Sequence, residues 1–544
     1  MSFNHLPASS SKILLFLTVS VSTVFTGCTA STTISNTNAS RRNQSVQTET
    51  YSSAGSMSNG GGMSNASVTD EKQLSGERYS EIDENPFLET ARAPLSTFSI
   101  DVDTASYANV RRYLNDGEMP PKDAVRIEEL INYFEYEYPQ PMGDAPFSVN
   151  TEAATCAWNK KHKIVSIGLQ GKKISLDNVP PSNLVFLLDV SGSMNEPDKL
   201  PLLKESLRIL VNQLTDKDRI AIVVYAGESG LALPSTSAGN KAEILGALNN
   251  LDAGGSTNGG QGIALAYRIA QENFIENGNN RIVLATDGDF NLGLTSDEEL
   301  VRLIEQKRKT GIFLSVLGFG TGNTNDSMME KLADKGNGNY AYIDSSDEAR
   351  KALGAQVAGT LYTIAKDVKI QVEFNPAKVA GYRLIGYENR LLADKDFNDD
   401  QKDAGEIGAG HSVTALYEVV PTGQKIENAG VDALRYQKAQ PSDTKFSDEL
   451  LTVKLRYKEP QGKESQLLTI GLIDRENQIE SASENLKFAS AVAEFGLLVR
   501  DSRYKGDANY NDSLRLAESS LGSDLKDYRL DFLKLVKKAA NLRK

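Results

Sequence analysis

The sequence predicts an α/β protein: a doubly wound, Rossmann-like parallel sheet inserted in a β-sandwich, with small α-rich segments at both ends. Three observations carry this. Between residues 183 and 345, short runs that are apolar on both faces alternate with helical stretches, as buried parallel strands and their crossover helices do. On either side of that region, segments alternate apolar and polar residues, as half-buried antiparallel strands do. The chain has 544 residues, 40% hydrophobic and 24% charged, which at roughly 150 residues per domain implies three or four units.

The N-terminus reads as an address. Lys12 precedes an apolar run from Ile13 to Phe25. At about 13 residues it is a signal-peptide core, shorter than the ~20 needed to cross a bilayer as a helix. Phe25-Thr26-Gly27-Cys28 sets small residues ahead of a cysteine and resembles a bacterial lipobox, with Phe25 where Leu is usual. That resemblance implies a signal peptide over 1–27, a fatty-acylated (palmitate-type) Cys28 as the mature first residue and, with Thr29 rather than Asp next to it, the outer membrane of a Gram-negative bacterium. A Sec signal cut elsewhere is the alternative. Residues 28–85, rich in Ser, Thr, Asn and Gly, read as a disordered tether. About 50 such residues have a root-mean-square span of about 40 Å.

Residues 86–142 read as a small α-rich module. Thr97 to Val102 is a strand, Asp103 or Thr104 caps a helix that ends at Gly117, and PPKDAVRIEELINYFEYEYP is a second helix. FSVNTEAATCAWN and HKIVSIGLQG form a hairpin. In the central region the expected strands are 184–190, 219–226, 281–288 and 312–320. The expected helices are Lys199 to Leu214, Lys241 to Leu251, Asn258 to Phe274 and Ser296 to Thr310. After Leu361 alternation returns in DVKIQVEF, AGYRLIGY, HSVTALYEVV, LLTVKLRY and SQLLTIGLI. The β-sandwich is therefore expected from 143–180 and 361–478, with the α/β domain, 183–350, inserted in one of its loops. Residues 481–544 are helical, with apolar stripes through Phe488, Val492 and Phe495 and through Phe532, Leu535 and Val536.

Composition narrows the chemistry. Lysine plus arginine is 59 against 72 acids, a net charge of −13, so nucleic acid is not an expected partner. Two cysteines, Cys28 and Cys156, exclude a disulfide-stapled scaffold. With Cys28 acylated, Cys156 is unpaired and expected to be buried as a small hydrophobe. Three histidines, His5, His162 and His411, leave little for a histidine metal cage.

The first central strand runs into Asp189-Val190-Ser191-Gly192-Ser193, at the strand's C-terminal end, where doubly wound sheets bind ligands. GGSTNGG puts Thr257 in a glycine-rich loop ahead of a helix, and RIVLATDGD puts Asp287 at the end of another buried strand. All three loops open at one edge of the sheet. Their oxygens are hard, as Mg²⁺ prefers; Mn²⁺ and Ca²⁺ are compatible with the same donor types. Read without that context, Ser191 and Ser193 cap a helix and Asp189 forms a turn. Asp289 reads as a solvated loop acid and Met194 as packing.

These residues resemble the metal-ion-dependent adhesion site (MIDAS) of von Willebrand factor type A domains, and the resemblance covers 183–345. It implies a metal held by Asp189, Ser191, Ser193, Thr257 and Asp287. It also implies that Thr257 coordinates directly when a ligand is bound, that both aspartates act mostly through water, and that an Asp or Glu of a partner protein takes the open position. The lipobox, STFSIDVDTASYANVRRYLNDG, DVSGSM, DFNDDQKDAGEIGAGHSVTALYE and FASAVAEFGLLVRDS together resemble the YfbK-like bacterial lipoproteins.

Two rival signals compete. Asp101-Val102-Asp103-Thr104 resembles the nucleophile motif of haloacid-dehalogenase-type phosphatases, but two helices follow it where a doubly wound sheet is needed. Asp394, Asp396, Asn398 and Asp400 resemble the start of an EF-hand loop, with Asp399 where Gly is required and Gly405 where Glu is; a looser Ca²⁺ site or an acidic turn is the reading. No P-loop, GxSxG, HExxH or helix-opening GxGxxG occurs. The expectation is thus a non-enzymatic, lipid-anchored envelope protein that touches the membrane only through its anchor and binds an unidentified protein partner through a metal. An envelope scaffold with a merely stabilising metal, or a metal-dependent hydrolase, is the alternative.

Overall fold

A computed structural model describes residues 76–543 apart from 101–102, 176–178, 227–228, 256–258, 289–295, 323, 403, 427–447 and 525. The signal peptide, Cys28 and most of the expected tether (1–75), together with Thr257, Asp101 and Asp289, lie outside the described residues.

The chain first lays β1 (Leu88–Glu89) and β2 (Leu95–Ser99), then α1 (Ala105–Asn115), a short 3₁₀ turn and α2 (Ile127–Asn132). The hairpin β3 (Phe147–Thr155) and β4 (Lys163–Gly171) follows. The α/β domain comprises β5 (Ser182–Asp189), α3 (Leu200–Gln213), β6 (Arg219–Tyr225), β7 (Ser229–Ser237), α4 (Lys241–Asn249), α5 (Gly259–Glu272), β8 (Asn279–Thr286), α6 (Asp297–Arg308), β9 (Ile312–Phe319), α7 (Asp326–Lys335), β10 (Tyr340–Ile343), α8 (Ser346–Arg350) and α9 (Val357–Leu361). Five more long or short strands complete the sandwich: β11 (Thr363–Phe374), β12 (Val379–Ile385), β13 (Gly405–Gly408), β14 (Ser412–Pro421) and β15 (Glu449–Lys458), before the edge strand β16 (Gln466–Ile473). Helices α10 (Glu484–Arg500), α11 (Tyr510–Glu518) and α12 (Tyr528–Leu542) end the chain.

The central sheet has the order β10-β9-β8-β5-β6-β7, parallel except for β7, which pairs antiparallel to β6. Strand β5 alternates its side chains between two cores. Leu184, Phe186 and Leu188 pack with α3 and α4, while Val185 and Leu187 pack with α5, α6 and α7. From β5 the chain winds outward to β6 and then returns to β8 on the other side, so the strand order reverses between β5 and β8. That is the crevice where doubly wound sheets hold ligands.

Around this domain, β1-β12-β14-β4-β3 forms one sheet, and β13-β11-β15-β16, with β2 on β11, forms the other. Their inner faces share a core through Ile167, Ile370, Tyr382, Ala415 and Val453. Two assignments of the sequence reading change here. Leu95–Ser99 is a sandwich strand against Lys369–Glu373, rather than part of an α-rich module. Structure also begins ahead of residue 85: Glu77 is buried, and Arg78 bridges to Asn325. The two helical ends are one body, because Val110, Ile127 and Phe134 share a core with Phe488, Phe495 and Phe532. The same core holds Cys156, 1% exposed, whose thiol pKa burial pushes well up, as suits an inert packed thiol. Among the described residues no helix is long and apolar enough to cross a membrane.

Candidate metal centre

Asp189 is the last residue of β5 and is fully buried. Its two oxygens are held from three directions. Oδ1 accepts the Ser191 backbone N–H at 2.9 Å, and Oδ2 accepts the hydroxyls of Tyr225 at 3.2 Å and Thr286 at 3.3 Å. Burial, with the Asp287 carboxylate adding to it, pushes its pKa up to about 6. A buried carboxylate so raised is a group that a cation would stabilise.

The chain beyond Asp189 turns so that Ser191 and Ser193 bring their hydroxyl oxygens within 3.1 Å of each other. Neither caps a helix by its side chain: the 3₁₀ turn Gly192–Asn195 has no side-chain cap at Ser191, which disposes of the capping reading. Met194 packs in the core below. Two backbone bonds tie this loop to the glycine-rich one, Gly192 N–H to Gly255 O at 3.0 Å and Gly254 N–H to Val190 O at 2.8 Å. Thr257 follows two residues after Gly255 and is outside the described residues.

Asp287 follows β8 and is fully buried. Gly288 next to it has φ +94°, and a Cβ there would lie 2.5 Å from Asn325 N, so only glycine lets this loop close on the β9–α7 loop. Sequence reasoning missed the partner of Asp287. Lys199 Nζ donates to Asp287 Oδ2 at 2.9 Å, in a pair with 8% and 0% side-chain exposure. Lys199 stands at the N-cap of α3, where the helix dipole disfavours a cation; that misplacement was the available signal.

The structure therefore brings together Asp189, Ser191, Ser193 and Asp287. Among the described residues no three His, Cys, Asp or Glu side chains converge to hold a metal by themselves. Two buried carboxylates and a close hydroxyl pair are nevertheless the donor chemistry of a hard dication. That the chain's own ammonium is seated against Asp287 shows that positive charge is accommodated there.

The other candidates separate from this edge. Asp394 accepts the Thr97 hydroxyl at 2.8 Å, Asn398 accepts Arg456 at 2.8 Å, and Asp400 accepts Ser465 at 2.6 Å. Asp396 lies 3.7 Å from Lys402, while Lys369 and Lys458 donate to the carbonyls of the same loop. These oxygens bond to lysines, arginines and hydroxyls of neighbouring strands, which is the arrangement of an acidic turn, the second of the two readings of this loop. Asp103 does not cap α1: it accepts the Tyr340 backbone N–H at 2.8 Å and lies 3.4 Å from Arg390, and Thr104 occupies the cap position.

Comparison with known proteins fixes the family. Residues 183–356 match the model described as von Willebrand factor type A domain, 73–166 match that described as von Willebrand factor, and 359–542 match that described as "Uncharacterized protein YfbK, C-terminal". The chain is 45% identical over 472 residues to "Uncharacterized protein YfbK" of Escherichia coli (strain K12), an alignment covering 85% of this chain and 81% of that protein. The chain belongs to the YfbK family of von Willebrand factor type A proteins. Human inter-alpha-trypsin inhibitor heavy chain H3 is 24% identical over 262 residues, 44% of this chain and 29% of its own length. Among solved structures, von Willebrand factor type A from Catenulispora acidiphila covers 74% of the YfbK-like chain and 91% of its own, at 16% identity and a TM-score of 0.42. Von Willebrand factor type A domains typically mediate protein–protein interaction, often bind a divalent metal at a MIDAS, and generally sit in proteins that are not enzymes.

Proposed function

We propose that this YfbK-like protein is a lipid-anchored envelope protein, not an enzyme, that grips a partner protein through a divalent cation at the β5/β8 edge. Mg²⁺ is the cation the oxygens favour, with Mn²⁺ and Ca²⁺ compatible. Asp189, Ser191, Ser193 and Asp287, with Thr257 from the neighbouring loop, would hold it. A bound dication supplies Lewis acidity toward an incoming carboxylate from an Asp or Glu of the partner. The chain's own residues do the rest: Tyr225 and Thr286 orient Asp189, and the Val190–Gly254 and Gly192–Gly255 bonds hold the two loops together. The observation that carries the reading is the close pair of neutral hydroxyls beside a buried carboxylate at the sheet's switch point, a polar cluster that packing alone does not require.

The test is capture from envelope extract with and without EDTA, for wild type and Thr257→Ala. Capture that needs both the metal and Thr257 is the expected result. Capture indifferent to EDTA would replace this reading with a scaffold, and turnover of phosphate or ester substrates would replace it with a hydrolase.

A further inference from the structure

The Lys199 side chain reaches the metal edge through a slot. It leaves the chain just ahead of α3, crosses the end of β9 and meets Asp287 beyond the end of β8. Where it crosses, Gly320 has φ +73°, and a Cβ built there would lie 2.4 Å from both Cγ and Cε of Lys199. The Gly320 carbonyl is held by the Tyr342 hydroxyl at 2.6 Å and the Thr324 hydroxyl at 3.4 Å, so the wall of the slot is fixed. Lysine heads normally reach for water; this one is 6% exposed and aimed at a carboxylate that is itself assigned to the metal.

We propose that Lys199 is an internal counter-cation of the metal centre: it holds Asp287 and the loops of the site together in the absence of metal and, in doing so, weakens metal binding. The inference rests on the metal-site reading above. Its physical basis is charge. Two buried carboxylates, Asp189 and Asp287, face the same β5/β8 crevice and repel each other. The ammonium cancels one of them. The price of that pre-assembly is that a dication meets a site of net charge −1 rather than −2, with a buried positive charge beside it that does not leave. Without Lys199 a dication and two carboxylates would sum to zero. With it, the loaded site carries a net positive charge and favours an anionic ligand over a neutral one.

The experiment uses the detergent-solubilised full chain. Mn²⁺ binding is followed by loss of the free-ion EPR signal, and thermal melting is recorded in EDTA and in saturating Mg²⁺, for wild type, Lys199→Met and the double variant Lys199→Met/Asp287→Asn. The expected result for Lys199→Met is Mn²⁺ affinity about tenfold or more above wild type. Its Tm in EDTA should fall by about 5 °C or more, because a buried carboxylate loses its cation. Mg²⁺ should recover most of that loss. The double variant should regain the wild-type Tm in EDTA without the gain in affinity. Equal Mn²⁺ affinity in wild type and Lys199→Met, with Tm lowered alike in EDTA and Mg²⁺, would make Lys199 a packing residue and overturn the inference while leaving the metal site standing. Absence of Mn²⁺ binding in every variant would overturn both. Should Lys199→Met not fold in either medium, Lys199→Gln, which keeps a polar head in the slot, carries the same readouts.

Discussion

Tyr225 and Thr286 were read from the sequence only as strand residues, yet each donates a hydroxyl to Asp189. Period-two patterning shows that a residue is buried and not which buried acid its hydroxyl meets. Asp189, Ser191, Ser193 and Asp287 were legible because strand-end position and residue type suffice to name them; Lys199 was not, because its contact lies 88 positions away along the chain. Removing one hydroxyl has a measurable cost. Tyr225→Phe should lower stability by about 1–2 kcal/mol in urea denaturation with EDTA present, since a hydrogen bond to a charged group is lost. Glu494, on α10, makes a second residue-scale prediction. It is 1% exposed; Oε1 accepts the Asn509 N–H at 3.1 Å, Oε2 has no partner among the described residues, and burial pushes the pKa up to about 7 from an ordinary 4.5. The folded state therefore binds more protons than the unfolded one between those values, and stability falls as pH rises from about 4.5 through about 7. Glu494→Gln should remove that slope and raise stability at pH 8 by up to about 3 kcal/mol. Urea midpoints from pH 5 to 8 check it; a slope unchanged in the variant would assign the pH dependence elsewhere.

At the scale of elements, helices α3 to α6 of the α/β domain were read within a residue or two, because their apolar periodicity is bounded by loops. Strand β7 was not: SGLALPSTS contains Pro234 and is largely solvent-facing, so it carries little strand signal despite pairing along β6. Strand β2 was read as local to its helices because nothing in LSTFS points to a partner some 270 residues later. Helix α7 was missed as well, and a buried charge cluster fixes it. Arg126, just ahead of α2, donates to Asp326 at 2.5 Å on α7 and pairs with Glu129 on α2, all three nearly without exposure. Such a pair is a costly way to join two helices and a costly one to break. Arg126→Met should destabilise the protein by about 3–5 kcal/mol, because two buried carboxylates lose their cation; the double variant Arg126→Met/Asp326→Asn should recover part of it. Denaturant midpoints of wild type, both single variants (Arg126→Met and Asp326→Asn) and the double variant decide the matter, and additive losses would show that the two side chains are not coupled.

For the whole molecule, the sandwich wraps the α/β domain by taking strands from before and after it, and the helical ends close on each other over a core of their own. The sequence signalled the insertion, since alternation stopped at one point and resumed at another. It could not signal the union of the ends, since an amphipathic stripe does not name its partner. Truncation before Glu484 should therefore do more than shorten a tail: it uncovers Ile127, Leu130 and Phe134, and the product should bind a hydrophobic dye and be digested rapidly by protease. A truncated chain as protease-resistant as the full one would show the two ends to be independent. The central claim is that the edge between β5 and β8 is a metal centre. Calorimetric titration of Mg²⁺ into wild type and Asp189→Ala tests it most directly: one saturable site in wild type that is absent in the variant is the predicted result, and equal binding by both, or binding by neither, would contradict it.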